Sequence, residues 1–312
     1  MTRRRRGRDR EAPGPAGFLV VDKPSGWTSH DVVDAARGWL GTRRVGHMGT
    51  LDPLATGVLP LAVRAATKLV PFVQNSDKAY RGWIRLGVDT DTLDAEGRVT
   101  RRHEGPLPGE AALRAALEAF VGEIEQIPPM FSAVKKGGVP LHKLAREGRE
   151  VEREPKRVRV ERLELLAYDP PMLQIAVDCS MGTYVRVLAA DLGARLGCGA
   201  HLAELRRTRS GPFDVAQAAT PERLAEAAEA GRIDRDLIPA LGVLGLPALR
   251  LCAEEVMQIR RGAEIPAQEP PLPPGTCMAA HDDAGEVVAI LELRPGRCLR
   301  PLRVLDSFAG RR

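Results

Sequence analysis

The chain has 312 residues, enough for one large core and a smaller unit, and its 44% hydrophobic and 28% charged content is that of an ordinary folded protein. Forty-six basic against 41 acidic side chains leave +5, and the six arginines and one aspartate of Met1–Arg10 supply all of it. The rest is neutral, which excludes a histone-like polycation and requires any nucleic-acid surface to be a local concentration of Lys and Arg.

Residues 1–15 mix arginines with Pro13 and Pro15 without a period and read as a disordered basic arm. The apolar run Phe18–Val21 is too short for a signal-peptide core and no stretch approaches a membrane span. A cytoplasmic protein with no membrane partner is expected. Gly17–Asp22 is a predicted strand, Lys23–Gly26 a turn, and Ser29 opens a helix carrying Val32, Val33, Ala36 and Leu40 that ends at Gly41. Tyr80, Ile84 and Leu86 alternate with Arg81, Trp83 and Arg85 as a half-buried strand. Leu113, Leu117, Phe120 and Val121 predict a helix closed by Gly122.

Leu173, Ile175, Val177 and Cys179 predict a further strand. After Gly182 a helix carries Val185, Leu188, Leu192 and Leu196, and Thr220-Pro221-Glu222 starts another as N-cap and N1 proline. Prolines and glycines interrupt the pattern over Ile238–Ala248; beyond it Gln268–Gly275 is proline-rich, and Glu286–Leu293 and Leu299–Leu305 read as strands. Strands and helices do not alternate as βαβ units and no repeat is present. The expected class is therefore α+β with a mixed, largely antiparallel sheet flanked by helices and loops, plus a small β-rich C-terminal domain.

The densest segment is Val45–Leu59, VGHMGTLDPLATGVL, with three glycines, a proline and one carboxylate, Asp52. Pro53 biases Asp52 toward extended backbone, so the carboxylate sits on a held turn, as a positioned nucleophile or base requires. An Asx-type turn cap suits the same spacing. Tyr184 and Arg186 stand at a helix start, where an arginine can pair with a carboxylate and a tyrosine can stack on a base, or can be a solvated arginine and a core tyrosine. Asp89, Asp91 and Asp94 lack the glycine and terminal glutamate of a calcium loop and read as a strand connection. From Gln126-Ile-Pro-Pro onward, Lys143, Arg146, Arg149, Arg153, Lys156, Arg157, Arg159 and Arg162 alternate with glutamates, either as a solvated face or as an RNA-contacting insertion over about 126–160. Arg206, Arg207 and Arg209 are candidates for phosphate contacts. No phosphate loop, dinucleotide turn or HExxH helix occurs, and the six histidines lack ligand spacing, so neither metal nor cofactor is expected. Five separated cysteines without CxxC read as reduced thiols filling core space.

In order along the chain, VDKPSGWTSH (21–30), GHMGTLDPLATG (46–57), the Tyr80 strand, QIPP (126–129) and CSMGTYVR (179–186) resemble the bacterial tRNA pseudouridine-55 synthases of the TruB type over about residues 17–213. The C-terminal residues loosely resemble a PUA RNA-binding domain. The resemblance implies a catalytic domain over 16–246 and a PUA-like domain over 247–312. It makes Asp52 the catalytic aspartate, with Tyr80 and Arg186 completing the site and His47 holding a flipped uridine of the T loop. Lys23, Pro24, Gly49, Thr50, Tyr184 and Leu205 would bind substrate. The implied reaction isomerises uridine to pseudouridine without a cofactor, in a monomer acting on the tRNA T arm and not on DNA. Met181, His142 and Arg64 depart from the family pattern and are expected to touch binding more than chemistry. Two rivals remain: a non-catalytic tRNA-binding or folding protein using the same pocket, and a glycoside hydrolase, which would need a second carboxylate about 5 Å from Asp52.

Overall fold

The structure is a computed structural model that describes residues 14–73, 77–132, 134–267 and 272–305. The arginine arm before residue 14 and residues 268–271 of the proline-rich stretch lie outside them. Strand β1 (Gly17–Lys23) turns into helix α1 (Ser29–Leu40). Thr28 caps α1 by accepting from the Asp31 N–H while the Asp31 carboxylate accepts from the Thr28 N–H, and Gly41 ends it at φ 58°. Strands β2 (Val45–His47) and β3 (Thr56–Val63) flank the Asp52 loop, and β4 (Lys78–Leu86) leads to the small pair β5 (Val88–Thr90) and β6 (Val99–Arg102).

Helix α2 (Glu110–Glu118) is shorter than the periodicity predicts. Phe120 and Val121 close it in turn bonds to Leu117 and Glu118, Val121 is exposed, and Gly122 at φ 102° opens β7 (Gly122–Gln126) instead of ending a helix. An excursion of β8 (Lys135–Lys136), β9 (Val139–Pro140) and α3 (Leu141–Arg146) precedes β10 (Lys156–Asp169) and β11 (Met172–Cys179). Then come α4 (Val185–Arg195), β12 (Ala200–Ser210), β13 (Phe213–Asp214), α5 (Pro221–Glu229), β14 (Ile238–Pro239) and α6 (Leu241–Leu244). The C-terminal part holds β15 (Ala248–Arg250), α7 (Ala253–Arg260), β16 (Ile265–Pro266), β17 (Cys277–His281), β18 (Val287–Arg294) and β19 (Cys298–Val304).

The large sheet runs β14-β1-β3-β12-β4-β11-β10-β7, with β2 on β3 and β13 on β12, and of its pairings only β3 with β12 is parallel. Its strands β1 and β3 are apolar on both faces because both are covered. Leu19, Val21, Leu59, Leu61 and Val63 meet α1 residues Val32, Val33 and Ala36 on one side; Phe18, Val20, Val58 and Ala62 meet Phe213, Leu69, Ala279 and Ile290 on the other. A second sheet, β15-β17-β18-β19-β16, packs against Val256, Ile259 and Leu251. This is the mixed, largely antiparallel α+β arrangement with a small β-rich C-terminal part that the sequence predicts.

Two readings are corrected by burial. Cys179 and Cys198 fill core space, but Cys252 is exposed at the start of α7 and Cys277 and Cys298 are half-buried. Arg64 is a structural residue: buried at φ 54°, it donates to the Pro15 and Leu40 carbonyls and pairs with Asp234 at 3.0 Å. Those contacts offset a backbone conformation that favours glycine.

Where β3 runs beside β12, Gly57 adopts φ 99° and a Cβ there would run into the Arg207 carbonyl oxygen. Gly57→Ala is expected to destabilise the fold by well over ~1 kcal/mol, seen as a lowered Tm; an unchanged Tm would contradict the close approach.

Candidate active site

The parallel pairing sets the N-terminal end of β3 beside Arg206 and Arg207 of β12, and β12 in turn sets Arg207 opposite Tyr80 on β4. The loop entering β3 is thereby brought to the end of β4 and to the β11–α4 turn. Loop residues 48–55 are pinned almost at every step. The Met48 N–H donates to Pro60, Arg207 donates to the Gly49 and Thr50 carbonyls, and Ser29 Oγ both donates to the Leu51 carbonyl and accepts from its N–H. The Pro53 carbonyl accepts from the Gly26 N–H and from Lys23 Nζ, and the Asp52 carbonyl from the Ala55 N–H. Among the described residues no backbone N–H donates to the Asp52 carboxylate, so it does not cap a turn; its partner is Arg186, with Nη2 3.3 Å away.

Arg186, on the first turn of α4, is itself held. Its Nη2 donates to the Phe131 carbonyl at 2.6 Å and its Nη1 lies 3.6 Å from the carboxylate of buried Asp94. Arg186 thus joins two carboxylates. Asp94 is fixed in turn by Thr92 Oγ1 and the Glu96 N–H, which donate to it, and by a bridge to Leu202 of β12. Tyr184, the N-cap of α4, is clamped by buried Gln126, whose side chain accepts from the Tyr184 N–H and donates to its carbonyl. The Arg186 guanidinium carbon lies 5.9 Å from the centre of the Tyr184 ring.

Burial raises the Asp52 carboxyl above the ordinary range, Arg186 pulls it back, and Asp94 adds to the rise. Burial pushes the Tyr80 phenol up to about 12 while Arg207, hydrogen-bonded to it, pulls the other way. Tyr80 therefore keeps its proton at neutral pH and is not a resting base. His47 is lowered by burial and by the nearby His30 and Arg207, so its ring, 6.4 Å from that of His30, favours the neutral form.

Asp52, Arg186, Tyr184 and Tyr80 line a cavity of about 260 Å³, near the lower end for ligand clefts. Of the residues expected from the sequence, Asp52, Tyr80, Arg186, Gly49, Thr50, Tyr184 and Leu205 come together in its wall. His47 opens instead into a neighbouring cavity of about 290 Å³ that shares Gly49, Lys78 and Met181 with the first. Lys23 and Pro24 reach neither. Lys23 is fully buried and its ammonium donates to the carbonyls of Pro24, Trp27 and Pro53, so it has no hydrogen left for a substrate and acts behind the loop. Asp94 and Lys78 are absent from the residues expected above. Lys78 could have been found, since it stands two residues from Tyr80 on a strand and so shares its face. Among the described residues no three of His, Cys, Asp and Glu are grouped to hold a metal ion, and no helix is long and apolar enough to cross a membrane.

Residues 37–185 match the N-terminal domain of the TruB family pseudouridylate synthases, and residues 186–243 match the C-terminal domain of tRNA pseudouridylate synthase B. The chain belongs to the TruB family. It is 45% identical over 295 residues to the tRNA pseudouridine synthase B of Geobacter sulfurreducens, covering 94% of each chain. With that of Pseudomonas fluorescens it shares 44% over 296 residues, 94% of this chain and 96% of the other. Among solved structures, a Cbf5-Nop10-Gar1 complex aligns at TM-score 0.68 and 28% identity over 95% of this chain and 85% of the other. An H/ACA RNP bound to a substrate RNA containing 2′-deoxyuridine aligns at 0.69 and 25%, over 94% and 86%.

In this TruB family member Arg207 of β12 is not available as a phosphate ligand, contrary to the sequence reading. Arg207 is wholly buried and its guanidinium is used by the carbonyls of Val58, Thr50 and Gly49. Arg206 pairs with both oxygens of Asp22 and Arg209 pairs with Asp178. Met181, which is 65% exposed, offers no charge to a phosphate, and Arg207, engaged by backbone carbonyls, cannot stand in for one there.

Proposed function

We propose that this pseudouridylate synthase isomerises uridine 55 in the T loop of tRNA, holding the base flipped into the Asp52 cavity. The observation that carries the reading is one carboxylate open to a small cavity and backed by a fixed guanidinium, with the loop beneath it pinned from both sides. Breaking the N1–C1′ bond builds positive charge on the ribose, and a charged carboxylate held at that position stabilises it. The uracil turns within the cavity and rejoins through C5; N1 gains a proton and the C5 hydrogen leaves to solvent, so atoms balance without a co-reactant. Arg186 keeps Asp52 ionised and aimed. Tyr80 supplies an aromatic face for the base, and a loop nucleotide costs less to extrude than one in a duplex.

Residues 16–246 would carry the chemistry and 247–312 would form a PUA-like RNA-binding unit, in a cytoplasmic monomer. The stretch 126–160 suits an RNA contact because Lys135, Lys143, Arg146 and Lys156 are exposed and have no ion pair among the described residues, whereas Arg149, Arg153, Arg157 and Arg159 are engaged by Glu147, Glu150, Glu125 and Glu161. Reverse-transcription mapping after carbodiimide modification, which leaves a stable adduct on pseudouridine, tests the assignment on a whole tRNA transcript: a single new stop reporting position 55 is expected, and stops elsewhere with none at 55 would overturn it.

The reaction needs ionised Asp52, whose pKa is raised, so kcat/KM is expected to fall with decreasing pH at values above the ordinary aspartate range. Asp94→Asn removes a like charge that raises Asp52 and should move this acid limb downward. An acid limb at the ordinary value in the parent enzyme would contradict the burial account.

A further inference from the structure

We infer that Lys78 binds a phosphodiester of the RNA chain beside the flipped uridine, at the threshold between the two cavities. The inference rests on the functional reading above and goes beyond it in assigning a residue to the sugar–phosphate chain. Lys78 Nζ has no hydrogen-bond or ion-pair partner among the described residues, although its side chain lies in the wall of both cavities. The other protein cation at this point, Arg207, has its guanidinium on backbone carbonyls and the Tyr80 phenol. Among the described residues the groups that act on the Lys78 ammonium are Arg207, which lowers it, and the Cys179 thiol, which raises it; no carboxylate is among them. Two positive charges therefore sit together with only dipoles to answer them, a situation that an entering anion relieves.

Gly49, at φ 132°, faces the pair, and a Cβ in its place would stand 3.5 Å from Lys78 Nζ and 3.8 Å from Arg207 Nη1. Both are ordinary van der Waals distances, so Gly49 borders the corner closely, and its positive φ is what favours glycine there. Burial and Arg207 hold the Lys78 ammonium down to about 8 in the free protein, the electrostatic signature of a cation lacking its counter-charge. An RNA chain whose base enters the Asp52 cavity and whose neighbouring residue lies toward His47 passes its connecting phosphate across this threshold. The base is then fixed at one end by the cavity and at the other by the chain, which sets C1′ against Asp52.

The test is a salt titration of T-arm RNA affinity with the full chain and its Lys78→Met and Lys78→Arg variants. The methionine variant is expected to bind about tenfold more weakly at moderate salt, with a log K against log salt slope shallower by about 0.7–0.9, the share of one phosphate; arginine should restore the slope. The companion measurement leaves the protein unchanged: methylphosphonates replace, one at a time, the two phosphates flanking the uridine. One of them should weaken the parent protein about as much as Lys78→Met does and add nothing to that variant. An unchanged slope in Lys78→Met, or parent affinity indifferent to both neutral linkages, overturns the inference. Pseudouridine formation by the parent on the same RNA is scored in parallel, so a parent that reacts while Lys78 proves indifferent sinks this inference alone, and a parent that does not react sinks the functional reading.

Discussion

Replacing Asp52 with asparagine is expected to cut pseudouridine formation about a thousandfold or more, ~4 kcal/mol of transition-state stabilisation, without loosening the fold. The side chain keeps its shape and no local backbone donor depends on its charge; the turn is built by the Asp52 carbonyl, the Ser29 hydroxyl and the Pro53 carbonyl instead. T-arm affinity and Tm should stay close to those of the parent. Single-turnover rates together with equilibrium binding separate the two effects. A variant that retains a tenth of the rate would show that the cavity, and not the carboxylate, supplies the catalysis.

Arg186→Met is expected to cost both stability and rate. It leaves Asp94 buried and Asp52 facing it with no guanidinium between them, and breaking a buried pair by removing one partner costs about 3–5 kcal/mol. Asp52, raised by burial and by the Asp94 charge, then loses the cation that pulls it back, so it titrates still further above its unfolded value. Groups whose folded pKa is raised contribute stability below the unfolded pKa and lose it as pH rises, so the variant should be least stable at neutral pH and recover on acidification. Arg186→Lys should rescue little, because a single ammonium cannot reach Asp52, Asp94 and the Phe131 carbonyl together. Thermal melts at neutral and mildly acidic pH check this; equal losses at both would mean the arginine acts by packing.

Much of the architecture was legible because local signals agreed with tertiary ones. Helix α1 carries its cap, its apolar stripe and its terminal glycine within the segment itself, and the loop before β3 announces a built site by placing a lone carboxylate among glycines and a proline. Asp94 was illegible for a physical reason. Asp89, Asp91 and Asp94 look alike as members of an acidic turn, and only the bridge to Leu202 on a distant strand selects Asp94 for burial against Arg186. Arg207 of β12 misled in the same way. Neighbouring residues on a strand point to opposite faces, but that Arg207 faces protein depends on β3 and β4 closing on either side of it. Lys23 likewise sits in a conspicuous motif yet serves the loop from behind, because three carbonyls converge on it.

The central claim, that a flipped T-loop uridine is isomerised at Asp52, is tested most directly by tritium release from a tRNA transcript labelled at C5 of uridine. Moving the glycosidic bond to C5 must expel that hydrogen. Release is expected from the parent chain on the natural sequence, and none from Asp52→Asn or from a transcript carrying cytidine at the T-loop position. Tight T-arm binding by the parent without any release would contradict the account and leave an RNA-binding protein with a synthase-like cavity.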